Sequence, residues 1–236
     1  MTTTLIIVHV AAACIGFLAG ALAMIFRKGP GMHAAAGIVF VGAMLAMSIS
    51  AIYIATFLHP MPTNVIGGFM MLYLVTTGWR AGRNRQGVAT RFDAVALMAV
   101  ALFVVVVTMY GVRAANTPTG KINGVPAFAL FIFAFAGTLC AISDIRFLRR
   151  GRLIGTHRIS RHLWRMGLAL LFASLSFYPG QARLFSKALR DSNLLYVPDV
   201  LYLGSLMLWS VRLRARRRRP QPVVETTTEM PITRAA

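Results

Sequence analysis

Residues 29–79 contain no Asp, Glu, Lys or Arg, a charge-free run of 51 residues. A folded surface in water does not tolerate such a run. A bilayer requires one, because a helix needs about 20 mostly apolar residues to cross the ~30 Å hydrocarbon layer. Fifty-one residues are too many for one crossing, and the run carries its own break at His59-Pro60-Met61-Pro62-Thr63-Asn64. Two helices are therefore expected from it.

Composition agrees. Of 236 residues 57% are hydrophobic and 13% charged, with only six acidic side chains; soluble domains carry about 25% charged residues. This excludes a soluble single-domain enzyme and a disordered chain. Further charge-free windows at 1–26, 94–112, 122–143, 166–182 and 200–211 complete the pattern. They predict an all-α polytopic bundle of seven transmembrane helices at roughly 4–26, 34–57, 65–79, 93–112, 126–145, 163–182 and 195–212. The third is short and should borrow a turn beyond Trp79. Pro179, near the end of the sixth, predicts a kink or an early exit. Residues 1–212 form the membrane domain and 213–236 a basic, then polar, tail. Met1 to Leu5 lack the basic start of a signal peptide, so the first segment is expected to remain in the membrane.

Counting Lys and Arg on alternate sides places 20 on one side and five on the other. The positive-inside rule then puts the N-terminus outside and the tail in the cytoplasm of a bacterial inner membrane. The net charge of +19 is thus mostly a topology signal. The run Arg212 to Arg219 adjoins a span, so it reads as an anchor attracted to anionic lipid at the cytoplasmic face, and no nucleic-acid partner is expected.

The five histidines are the most informative polar residues. His9 lies on a stripe of small residues with Ala12, Ala13, Gly16 and Gly20, a GxxxG match that should face another helix. His33 opens the second span and His59 ends it, 26 residues and about 39 Å away along a straight helix. His162 shares a face with Met166, Ala169, Ala173, Ser176 and Gly180, and His157 precedes it in a basic loop. The histidines sort into an outer set, His9 and His59, and an inner set, His33, His162 and His157. Two axial imidazoles from different helices at each membrane face are what a two-haem b-type cytochrome needs, with arginine available for the propionates. The competing reading is that these histidines cap helix ends and bond backbone or headgroups. Asp144 or Asp93 pairing with Arg165, and Asp199 with Arg183, read as structural glue. Tyr73, Thr76 and Thr77 with Trp79-Arg80 read as an interfacial girdle. No carboxylate sits at mid-membrane and no paired helix breaks occur, which argues against a transporter. Two cysteines, Cys14 and Cys140, give no disulfide framework or zinc site. There is no phosphate loop, HExxH, GxSxG or CxxC.

Arg161-His162-Leu163-Trp164-Arg165-Met166, continuing through Ala169, Phe172, Ser176 and Phe177 to Gly180-Gln181, resembles a run in a family of predicted polytopic bacterial membrane proteins with a domain of unknown function. The resemblance extends to His9, to Lys28, Gly29, His33 and Gly37, and to Tyr73-Leu74, Thr77 and Arg80, covering about residues 5–212. It implies the polytopic topology and no reaction. His9, His33, His162, Arg165 and Gln181 fall at matching positions; His59 and His157 do not.

The sequence therefore leads to a multi-pass inner-membrane protein. The sharpest functional reading is a haem b electron-transfer protein with His33 and His162 as iron ligands, His9 as a further cofactor residue and Arg165 on a propionate. The alternatives are a non-catalytic assembly factor or subunit of a larger membrane complex and, third, a small-molecule transporter. Alkaline phosphatase fused after Arg219 should be inactive and a fluorescent protein fused there should glow; the reverse pattern would invert the orientation.

Overall fold

The computed structural model describes residues 2–218, and these are overwhelmingly helical. Among the described residues there are eight α-helices: α1 (Thr2–Ile25), α2 (Met32–Tyr53), α3 (Pro62–Arg83), α4 (Arg91–Ala115), α5 (Ala127–Arg150), α6 (Gly155–Phe177), the short α7 (Lys187–Asp191) and α8 (Val197–Arg218). Five segments are long and apolar enough to cross a membrane: Thr3–Ile25, Met32–Leu58, Arg91–Ala115, Ala127–Arg150 and Leu194–Ala215. This is the construction of a membrane protein. The two long helices that fall short on hydropathy are α3 and α6.

Local chemistry explains the helix limits. α2 loosens into a π turn at Ile54–Leu58, whose last bond runs from the His59 N–H to the Ile54 carbonyl at 2.8 Å. Pro60 stops it there, and Pro62 begins α3 at a first-turn position where its missing N–H costs nothing. α3 does continue past Trp79, to Arg83. α4 starts with a capping box in which the side chains and backbones of Thr90 and Asp93 bond reciprocally. α6 departs from expectation at its start and makes the early exit expected at its end. It begins at Gly155, so His157 belongs to a helix rather than a loop, and it ends at Phe177, where Pro179 forces the early exit. α8 runs on to Arg218; the rest of the predicted tail, 219–236, lies outside the described residues.

Sequence reasoning missed the short helix α7 and a hairpin. Between α4 and α5, Lys121–Ile122 pairs antiparallel with Val125–Pro126. The turn is Asn123-Gly124, both with positive φ (48° and 78°), as a two-residue hairpin turn of mirror-image type requires.

Consecutive long helices run antiparallel. α1, α2, α3 and α6 contact one another in a closed ring, α8 packs on α6, and α4 and α5 form a hairpin against α3. Stacked rings attach that hairpin to the ring of four: Phe69 of α3 on Phe103 of α4 at 5.0 Å, and Phe133 of α5 on Phe172 of α6 at 5.1 Å. The outward faces of α1, α4 and α5 expose Leu18, Leu102, Phe135 and many similar residues. In water that surface would cost ~25 cal/mol per Å² of apolar area; against lipid it costs nothing.

The α3–α4 and α5–α6 connections clasp each other at one end of the bundle. The Leu153 N–H donates to the Gly87 carbonyl and the Ala89 N–H to the Gly151 carbonyl, both at 2.9 Å. Gly87 has φ +68°, and a Cβ there would run into the Leu153 carbonyl oxygen, so no other residue fits the clasp.

The small-residue stripe of α1 packs as expected. A side chain at Gly16 would strike Met44 and Ala43 of α2, and one at Gly20 would meet Phe40 of α2 and Leu170 of α6 at 2.8 Å. Leu18, two residues away, is 63% exposed. Gly20→Leu should therefore lower the yield and melting temperature of detergent-purified protein, while Leu18→Phe should leave both unchanged. Equal effects would put the wrong face of α1 against its neighbours.

Candidate functional site

Arg161 and Arg165 sit four residues apart, on one face of α6. That face turns inward and meets a carboxylate. Asp144, fully buried on α5, accepts hydrogen bonds on Oδ1 from Arg161 Nη2 at 2.7 Å and Arg165 Nη2 at 2.5 Å. Its other oxygen accepts the Tyr73 hydroxyl from α3, also at 2.5 Å. Arg165 further donates to Thr77 Oγ1 (2.7 Å) and to the Cys140 carbonyl (3.2 Å), and its guanidinium lies 4.7 Å from the Tyr73 ring centroid. Arg161 lies over Phe147 at 4.3 Å and approaches Asp93 at 3.9 Å. Asp93 also pairs with Arg80 at 3.3 Å, and Arg80 reaches the Thr90 hydroxyl at 2.6 Å.

Four helices, α3 to α6, are therefore tied at one end by two carboxylates and three guanidiniums. Burying an isolated charge costs several kcal/mol even after relaxation, so each ion must be paired and hydrogen-bonded to persist there. The network nearly achieves this; among the described residues Arg161 Nε is its one fully buried donor without a partner. Of the glue pairs expected from sequence, Asp144 takes Arg165, while Asp93 takes Arg80 and Arg161 instead. The girdle reading of Tyr73 and Thr77 is corrected: they are 5% and 2% exposed and serve the network. Arg165 is likewise committed here, which removes its fork from any role on a propionate. Asp199 gains no bond from Arg183. Both its carboxylate oxygens are buried without a hydrogen-bond partner, in the first turn of α8, where a negative charge suits the helix dipole.

Three of the histidines share one local geometry. His9 places Nδ1 3.1 Å from the Met47 carbonyl and 3.0 Å from Ser50 Oγ. His33 places Nδ1 2.8 Å from the Ala23 carbonyl, and His162 places Nδ1 2.9 Å from the Gly78 carbonyl. A carbonyl only accepts, so in each ring the proton is on Nδ1 and the neutral form carries its lone pair on Nε2. No hydrogen bond to any of these Nε2 atoms forms among the described residues.

His33 and His162 share the end of the bundle that holds the ion network. The His33 ring, the Lys28 ammonium and the Arg158 guanidinium are all close enough to act on His162 electrostatically. Lys28 also caps α1, donating to the Ala23 and Met24 carbonyls at 2.8 and 2.6 Å, and lies 5.1 Å over Trp209. Arg158 donates to the Ala81 and Gly82 carbonyls at the end of α3. Glycine makes the contact between α3 and α6: a Cβ at Gly78 would meet Arg165 and one at Gly82 would meet His162, each at 2.8 Å. The inner histidines are thus brought to one end, though His157 is exposed. The outer pair is not built alike. His9 is wedged between α1 and α2, while His59 is exposed in the α2–α3 connection. His9 touches α2 at Met47, 14 residues from His33, about 21 Å along the helix, so it belongs to no common site with the inner pair.

Because the network closes on Asp144, its removal should be felt throughout. Asp144→Ala leaves the buried Arg165 without a counter-charge and Arg161 with only the more distant Asp93 at 3.9 Å, and should cost about 3–5 kcal/mol. Tyr73→Phe removes one bond to a charged group and should cost about 1.5–3 kcal/mol. Thermal unfolding in detergent measures both; an unshifted Asp144→Ala melt would show that the ion pairs do not hold the bundle.

No family model matches the chain, and neither a curated protein nor a solved structure matches it.

Proposed function

We propose that this is a seven-span inner-membrane protein, N-terminus outside, that binds b-type haem between His33 and His162 and passes electrons within or across the membrane. The observation that carries the reading is the committed Nδ1–H and uncommitted Nε2 of both rings. A metal-ligating imidazole almost always gives its other N–H to a carbonyl or carboxylate, which fixes the tautomer and orients the lone pair. The donor set fits the group: two neutral imidazoles from different helices at one end of the bundle. Arg158, which spends one Nη on the Ala81 and Gly82 carbonyls, is the cation at hand for a propionate, in place of the committed Arg165. Gly37, one turn along α2 from His33, leaves open space where a Cβ would stand.

Bound haem would supply a one-electron couple. The protein's part is to hold the two rings and supply positive charge. The Ala23 and Gly78 carbonyls keep Nε2 unprotonated, and α3's glycines let α6 come close enough to seat His162.

Burial supports counting α3 and α6 as spans. They have neighbours on more sides than the other long helices and turn polar residues toward them, which lowers their hydropathy. At 22 and 23 residues each is long enough to cross. The family resemblance of the α6 motif supports the same topology. A second reading, a non-catalytic assembly factor or complex subunit, is favoured by the ion network, which is a sufficient structural reason for much of the polar character of α3 and α6.

Colour separates the two. Protein expressed with ample haem supply should show a sharp low-spin b-type α-band on dithionite reduction. His33→Ala and His162→Ala should each abolish or shift it, and His59→Ala should not. A well-folded, monodisperse but colourless preparation would remove the haem reading and leave the structural one.

A further inference from the structure

The flank of the bundle between α2 and the start of α4 is open, with α3 at its back. It holds a groove of about 730 Å³, within the ~300–1,000 Å³ usual for small-ligand sites. Its inner wall is apolar, formed by Val41 and Leu45 of α2, with Thr76 of α3 beside them. Its mouth, at the basic end of the bundle, is formed by Trp79, Arg80 and Arg83.

The charges at the mouth do not balance. Arg80 spends Nε on Asp93 and one Nη on Thr90, and rests 5.2 Å from the Phe92 ring centroid. Asp93 is shared besides with Arg161. Arg83 forms no ion pair among the described residues. It is exposed and stacks on Trp79 at 5.0 Å, which fixes the plane of its fork while leaving its N–H groups available. The nearby Asn84 amide is used locally, accepting from the Gly87 N–H and donating to the Val88 carbonyl. Asp93 thus answers Arg80 and Arg161, and the Arg83 guanidinium has no counter-charge among the described residues.

An unpaired arginine at a water–lipid boundary, above an apolar channel, matches a ligand with an anionic head and a hydrocarbon chain. A free anion would answer the arginine and leave the apolar wall bare; a neutral amphiphile would do the opposite. We infer that this groove binds one anionic phospholipid, its phosphodiester on Arg83 with Arg80 beside it and an acyl chain along Val41 and Leu45. Arginine is suited to this because its planar fork meets phosphate oxygens in pairs. The site is distinct from the Arg212–Arg219 run, and it does not depend on haem.

Trp79 stands in the groove and reports on it. In a Trp164→Phe, Trp209→Phe protein, reconstituted in phosphatidylcholine vesicles, brominated phosphatidylglycerol should quench Trp79 at several-fold lower mole fraction than brominated phosphatidylcholine. Arg83→Gln, which touches no part of the ion network, should bring the two curves together. Native mass spectrometry of the unsubstituted chain should show one retained phosphatidylglycerol that Arg83→Gln loses. Equal quenching by the two lipids, or absence of the retained lipid, would overturn the proposal. So would reversal of the preference by millimolar inorganic phosphate, which would mark a small-anion site.

Discussion

Asp144 is a carboxylate with no exposure to solvent, at the end of a helix whose outer face meets lipid. It is held there by two arginines one turn apart on α6 and by the Tyr73 hydroxyl of α3. Once that triad is fixed, much else is determined. Arg161 and Arg165 must face inward, which sets the rotation of α6. His162, between them in sequence, is then turned toward Gly78 and Gly82. Arg161 reaches on to Asp93, so the capping box of α4 is drawn into the same cluster. The net stability from such a network is modest, because desolvation offsets most of the Coulomb attraction. What it contributes is register: helices in lipid have no hydrophobic force to choose among rotations, and an unpaired charge penalises every wrong one.

The same logic explains why only five of the long segments are apolar enough to cross a membrane. A helix at the rim of a bundle must be apolar wherever lipid touches it. A helix with neighbours on several sides can be glycine-rich, hydroxylated or even charged, provided each polar group has a partner. α3 buries Tyr73, Thr77, Gly78 and Ala81 along its inner surface, and α6 buries Arg161 and Arg165. Their low apolar character is the consequence of being central.

How much of this the sequence displays varies with the physics. Helix limits were readable because lipid excludes charge and proline excludes helix, both of them local effects. The α1 stripe was readable because GxxxG has one common use in a membrane. The hairpin at Asn123-Gly124 was equally local and was passed over, since its flanking strands are only two residues each. The Thr90-x-x-Asp93 spacing is a capping signal that was also passed over, and it says nothing of Asp93's second task with Arg80. Partner choice was beyond reach: Asp144 lies 71 residues from Tyr73, and nothing local distinguishes it from Asp93 as the carboxylate for Arg165. The four-residue spacing of Arg161 and Arg165 was the available signal that both share one buried face. Counting Arg161 only as a loop charge concealed it.

The histidines show where a packing account ends. A helix-end histidine with a purely structural task is satisfied by any arrangement that leaves no costly group bare. Here three rings on three helices each spend Nδ1 on a carbonyl of a neighbouring helix and leave Nε2 without a protein partner, at partial burial. For His9 the small residues of α1 and the Ser50 hydroxyl account for the seat. For His162 the surroundings are cationic, with Lys28 and Arg158 close by and the His33 ring as a neighbour. Such a seat lacks two things: an acceptor for the lone pair of the ring and a negative charge to answer the cations. A propionate-bearing macrocycle supplies both at once, which is why the haem reading rests on the inner pair rather than on histidine count.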